Sequence, residues 1–166
     1  MSAGFRRALL TAHVSVSVGW LGAVAAVLAV ATVGLASDDE ETVRGAYLLL
    51  EPTAWFVLVP LALASLLTGI VQSLATPWGL FRHYWVLFKL AINLLATVVL
   101  LAYTQTLDSL ADAAAAGALE QLRTPSVVIH ASAALVLLLV ATTLAVVKPR
   151  GLTPWGRAKR SLGARA

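Results

Sequence analysis

His13 and Lys89 each lie about five residues inside a long apolar run, which at 1.5 Å of rise per helical residue is ~7 Å below a membrane surface. An ionisable group at the centre of a membrane helix costs about 2.5–3.5 kcal/mol on insertion scales, so each one calls for a partner or a task. A buried imidazole can ligate a metal, or it can be a hydrogen-bonded packing residue. The Lys89 stem is long enough to return its ammonium to the head groups, and the same residue can also turn inward. Arg82, Trp85, Lys89, Asn93 and Ala96 follow the i, i+3, i+4 rhythm of one helix face. Asn93, one turn deeper than Lys89, favours a polar stripe facing the bundle interior. His83, between Arg82 and Tyr84, reads as an interfacial, solvated residue. Ser65, Thr68 and Gln72 continue a polar line along the second run. Glu51 and His130 form a separate set toward the other side. They could pair or line an outer vestibule, or Glu51, just before Pro52, could cap a helix start, where negative charge is favoured.

The elements that must hold these residues are membrane helices. Of the 166 residues 60% are hydrophobic and 12% charged, against about 25% charged in ordinary globular proteins. Four stretches, roughly 8–36, 47–75, 84–104 and 125–147, exceed the ~20 apolar residues that span a bilayer. The expected fold is a single all-α membrane domain, an up-down four-helix transmembrane bundle, with a basic tail at 148–166. Arg6, Arg7, Arg82, Lys89, Lys148, Arg150, Arg157, Lys159, Arg160 and Arg165 cluster at one side, and all 8 acids fall in 38–51 or 108–120. The positive-inside rule then makes both termini and the 76–83 loop cytoplasmic. The expected location is the bacterial cytoplasmic membrane, with the tail against anionic head groups. Nucleic acid is a poor partner, since no aromatic-basic motif accompanies the charge. With no Cys, disulfides and thiolate metal sites are excluded.

The first run is too long for the ~7–15-residue core of a signal peptide and is read as a retained helix. The connection 105–124, with Leu107, Leu110, Ala114 and Ala118 among acids, suggests an amphipathic segment on the outer face or a solvated helix. Thr76-Pro77-Trp78-Gly79 recurs as Thr153-Pro154-Trp155-Gly156, each read as a helix stop with an interfacial Trp. The repeat hints at two hairpins related by a two-fold axis along the membrane normal. Ser15, Gly19, Gly22 and Ala26 form a small-residue stripe suited to close packing in the bundle, or to a homodimer.

His13-Val-Ser-Val-Ser-Val-Gly-Trp20-Leu-Gly22 resembles the His-then-Trp-Gly motif in the first helix of CopD-like membrane proteins. Ser65-Leu-Leu-Thr68-Gly69 resembles their Thr-Gly motif, and Tyr84-Trp-Val-Leu-Phe-Lys89-Leu90 their third-helix Lys-Leu motif. That superfamily includes copper-resistance proteins and HemJ-type protoporphyrinogen oxidases. Nearly the whole chain is similar to an uncharacterised bacterial family of four-helix membrane proteins. The shared segments are Trp-Leu-Gly, Thr-Pro-Trp-Gly-Leu-Phe-Arg-His-Tyr-Trp and Lys-Pro-Arg-Gly-Leu-Thr-Pro. In HemJ-like proteins the first-helix histidine and third-helix lysine are tied to haem b, and the matching residues are His13 and Lys89. Glu51, ahead of Pro60, resembles a Glu…Pro feature of their second helix. The aromatic Tyr-Leu-Pro-Arg run of HemJ is missing, which bears on oxidase activity more than on haem binding.

The resemblance implies a haem b-binding redox or accessory membrane protein. His13 would be the axial ligand. Lys89 or His83 would be the second ligand, or Lys89 would pair with a propionate, with Arg6, Arg7 and Arg82 also available to propionates. The alternative is a cofactor-free scaffold or accessory subunit; a copper or small-solute permease suits the sequence less, since Cu(I) prefers soft sulfur ligands and Met1 is the only Met. Enzymatic activity, substrate and electron partner stay open.

Overall fold

A computed structural model describes residues 2–76 and 79–163. The chain is all-α: α1 (Ala3–Ala36), α2 (Glu40–Thr53), a π-helical turn (Ala54–Leu58), α3 (Val59–Ala75), α4 (Tyr84–Ala115), α5 (Leu119–Leu122), α6 (Ser126–Val147) and α7 (Pro154–Gly163). The α2–π–α3 run is one continuous rod, so four helical spans are long and apolar enough to cross a membrane. Only 22–28% of each span's most apolar window is buried inside the bundle, so most of that apolar surface faces outward. Phe56, Leu67, Phe88, Ile129 and Val146 are among the side chains exposed there. A bundle in water would place polar residues on that face; here the outer solvent is lipid.

The first span packs on the second and fourth, and the third packs on the same two. α1 and α4 therefore face each other across the diagonal. The core between the spans is built from Trp20, Val24, Ala31, Tyr47, Leu50, Ala54, Ala114, Leu122, Val127 and Leu138. At the first hairpin a Cβ on Gly34 would fall 2.9 Å from the Ala46 Cβ, so glycine is what lets α1 and α2 close together there. Asp39 caps α2 through the Thr42 amide, and the Thr42 hydroxyl and amide together hold its carboxyl below the usual range.

The π turn has a sequence cause. Its flanks are Pro52 and Pro60, and Pro60 supplies no N–H for the carbonyl one turn earlier. The inward residues Leu50, Ala54, Leu58 and Ala62 are spaced by fours through this stretch. In an α-helix three such steps drift by about 120°, because four residues overshoot a 3.6-residue turn by about 40° each. The wider π turn absorbs that drift and keeps Ser65 on the inward face.

Several expectations change. Since α2 starts at Glu40, Glu51 lies well inside the helix and caps nothing. The segment 105–124 is not a surface connection: α4 runs on to Ala115 and buries Leu107, Leu110, Ala111 and Ala114 against the other spans. Apolar spacing continued there, and the acids Asp108 and Asp112 occupy other faces. Ser15, Gly19, Gly22 and Ala26 are exposed on α1, although Gly19 stands close beside Leu61 of α3. Arg82 precedes α4 and so is not part of its stripe, whereas Trp85, Asn93 and Ala96 are buried as expected. The second Thr-Pro-Trp-Gly starts a helix instead of stopping one. α6 ends with Lys148 in the left-handed conformation, φ 46°, and Thr153 caps α7 by accepting from Gly156 N at 3.1 Å. Of the first copy, Pro77 and Trp78 lie outside the described residues; Gly79 takes φ 62° in the turn.

Candidate functional site

The fold brings His13 and Lys89 together. Lys89 Nζ lies 3.1 Å from His13 Nε2, so the contact joins two diagonal spans through the middle of the bundle. His13 is buried, 5% exposed. Two features of α3 make the contact possible. Gly69 has no side chain, and a Cβ there would sit 3.0 Å from His13 Cε1. Thr68 Oγ1 lies 2.9 Å from His13 Nδ1 and 2.6 Å from the Ala64 carbonyl.

Those two distances fix the imidazole's tautomer. The Ala64 carbonyl can only accept, so the single Thr68 hydroxyl proton goes to it. The hydroxyl must then accept from His13 Nδ1–H. Nε2 is left with a lone pair, aimed at the Lys89 amine. A ring held this way by a partner on one nitrogen offers the other as a ligand.

Deeper in the bundle the polar line continues. Ser17 and Ser65 hydroxyls are 2.9 Å apart, and Asn93 Nδ2 donates to Ser65 Oγ at 3.2 Å. Asn93 Oδ1 and Gln72 Oε1 are buried without a hydrogen-bond partner. Both residues border a chamber of about 80 Å³ beside His13 and Lys89. A water needs only ~10–15 Å³ of such volume, so the chamber can hold water molecules bridging these oxygens to Lys89.

Toward the basic end the pair opens into a cleft of about 600 Å³ between all four spans. Leu10, Val14 and Val146 form part of its apolar wall, and Arg6, Arg7, Lys89 and Lys148 supply four cations with no acid among its lining residues. This basic end also carries the 79–83 turn and α7, joined by Thr153 Oγ1 donating to the Phe81 carbonyl at 2.6 Å and Thr153 N to the Arg82 carbonyl at 3.1 Å. Arg82 and His83 belong to that junction. His83 forms a β-bridge with Leu152, its ring is 6.5 Å from the Trp85 ring, and neither Arg82 nor His83 lines the cleft.

Glu51 and His130 sit at the acidic end. His130 Nδ1 donates to the Ser126 carbonyl at 2.8 Å and the ring stacks on Tyr103 with centroids 4.1 Å apart. No hydrogen bond or ion pair joins His130 to Glu51 among the described residues. Nor do three of His, Cys, Asp and Glu gather anywhere among them. Sequence reasoning did not single out Ser17, the orienting role of Thr68 or the space left by Gly69. The i, i+3, i+4 run Ser65, Thr68, Gly69 was the available signal.

The class defined by fold and site is a four-span membrane bundle with a His–Lys pair at its polar centre and a cationic cleft at one end. No known protein family, curated protein or solved structure matches the chain.

Proposed function

We propose that this chain is a haem b-binding membrane protein with a redox or accessory role, in which His13 is the axial ligand. The observation that carries the reading is the His13 imidazole, held at Nδ1 by Thr68 and lining, with Lys89 beside its Nε2, a cleft of about 600 Å³. That volume falls in the ~300–1,000 Å³ range of ligand sites. The resemblance to CopD- and HemJ-like proteins, carried by His13, Trp20, Thr68, Gly69 and Lys89, points the same way. Haem b would supply one-electron chemistry at iron.

The fit has one informative mismatch. Metal–imidazole bonds run ~2.0–2.1 Å, so an iron held between two nitrogens needs them ~4 Å apart. His13 Nε2 and Lys89 Nζ are 3.1 Å apart. The pair as it stands is too close to sandwich an iron, so the reading assigns Lys89 to a propionate rather than to the metal. Arg6, Arg7 and Lys148 edge the same cleft and supply further charge-assisted bonds to carboxylates. Arg82 and His83 do not line this cleft, so the reading gives them no part in it. In this reading the basic end is cytoplasmic and the membrane is the bacterial cytoplasmic membrane, with anionic head groups around α7.

A second reading is a cofactor-free scaffold or accessory subunit. It is favoured by the mutual satisfaction of His13 and Lys89, which need no guest. Absorption spectra of protein purified with haem available separate the two. A Soret band lost in His13→Ala and weakened or shifted in Lys89→Ala supports haem; colourless, folded protein promotes the scaffold.

A further inference from the structure

Four cations meet in the cleft at the basic end, and no acidic side chain of the protein can reach them. Arg6, Arg7, Lys89 and Lys148 line the cleft. All 8 acids fall in 38–51 or 108–120. At 1.5 Å per residue, Glu51 lies about 30 Å along the second span from Gln72, which lines the cleft, and Asp108 about 28 Å along α4 from Lys89. Those distances rule out pairing. Ala3, the first residue of α1, also lines the cleft. No acid stands in that first turn, so the positive end of the helix adds to the field.

Deeper than the cations, the same cleft has an apolar wall that is open to lipid. Arg6, Leu10, Val14 and Val18 recur by fours along α1, the cation first and the apolar residues after it. On α6, Lys148 stands beyond Val146 and Ala145 in the same sense. Val18 is 58% exposed and Val146 76%, so the wall continues onto the outer face of the bundle between α1 and α6. A soluble anion would use the cations alone, and a neutral chain the apolar track alone. A lipid with a negative head group uses both. Basic sites between membrane helices suit such head groups, and guanidinium matches phosphate with paired, charge-assisted bonds.

We propose that the cleft binds one anionic phospholipid, its phosphate held by Arg6, Arg7 and Lys148 and one acyl chain lying along Leu10, Val14, Val18 and Val146. This is a discrete site in the bundle, not the diffuse attraction of a basic tail to a charged surface. It does not rest on the haem reading. Lipid is the occupant of the haem-free chain, and a guest whose carboxylates drew on the same cations would displace it.

The test is a native mass-spectrometric titration of the full chain, delipidated and haem-free in neutral detergent. The probes are dioleoyl-phosphatidylglycerol, dioleoyl-phosphatidylcholine and glycerol 3-phosphate. Saturable binding of one phosphatidylglycerol, tighter than either other probe, is expected. A cation beside a lipid phosphate contributes about fivefold in affinity, so Arg6→Gln with Arg7→Gln should weaken binding about 25-fold. Arg150→Gln with Arg157→Gln removes the same charge from residues at that end that do not line the cleft, and should leave binding within about twofold. Equal losses in the two double variants, or equal affinity for the choline lipid, overturn the site. Glycerol 3-phosphate binding as tightly as the lipid overturns it in favour of a soluble phosphate. If the Arg6, Arg7 variant does not insert and fold, Lys148→Gln against Arg150→Gln decides, with a fivefold loss expected in the first alone. The titration uses haem-free protein, so either outcome of the Soret experiment leaves it unaffected and the two readings fail separately.

Discussion

Thr68 has one hydroxyl proton, and where it goes determines what His13 can do. Donation to Ala64 makes the hydroxyl an acceptor for Nδ1–H and leaves the Nε2 lone pair facing Lys89 Nζ. Thr68→Val keeps the shape and removes that acceptor. Chemical or thermal unfolding should show a loss of about 1–3 kcal/mol, the cost of a buried donor left unpaired, and Thr68→Ser should restore most of it. If Thr68→Val is neutral, His13 is not held by this bond. Gly69→Ala is the steric counterpart. Its Cβ would press on His13 Cε1 at 3.0 Å, and overpacking of this kind costs about 1–3 kcal/mol. The combined readout is sharper in haem-loaded protein, where both variants should move the Soret band if His13 is the ligand.

At the scale of elements, the junction between the 79–83 turn and α7 is the most local and testable. Thr153 bonds the Phe81 carbonyl through its hydroxyl and caps α7 with the same oxygen. A Cβ at Gly156 would run into the Arg82 carbonyl. Gly156→Ala should therefore release α7 from the turn while leaving the four spans intact. Hydrogen exchange at the Thr153 amide, which donates to Arg82, should speed up at least tenfold, with amides of α6 unchanged. Unchanged protection at Thr153 would mean that the turn gives way instead. The two copies of Thr-Pro-Trp-Gly thus do different jobs despite one sequence, because Thr153 is followed by a helix and Thr76 by a turn with Gly79 at φ 62°.

For the whole molecule, the lining of the bundle divides into a basic and an acidic end. Arg6, Arg7, Lys89 and Lys148 meet at one cleft, while Asp108 accepts from Trp55 Nε1 at 3.0 Å near the other. On the positive-inside rule the basic end is expected to face the cytoplasm. A reporter active only outside the cytoplasmic membrane, fused after Ala166, should be silent, and one fused in the 37–39 loop should be active. The reverse pattern would invert the molecule and put the cationic cleft on the outside.

Span number, apolar exteriors and charge asymmetry were legible in the sequence, because lipid imposes a composition that any ~20-residue window reveals. The inward stripe of Trp85, Asn93 and Ala96 was legible too, since it follows from helical period alone. Helix periodicity could not say that Ser15, Gly19, Gly22 and Ala26 are exposed, because a small residue suits either side. Nor could it find the π turn's rotation, the extension of α4 to Ala115, or the junction between the 79–83 turn and α7. Only the packing of four spans decided that His13 and Lys89 meet across the diagonal. Their encounter depends on Gly69 and Thr68 from a third helix, and contacts among three segments distant in the chain leave no periodic trace in any one of them.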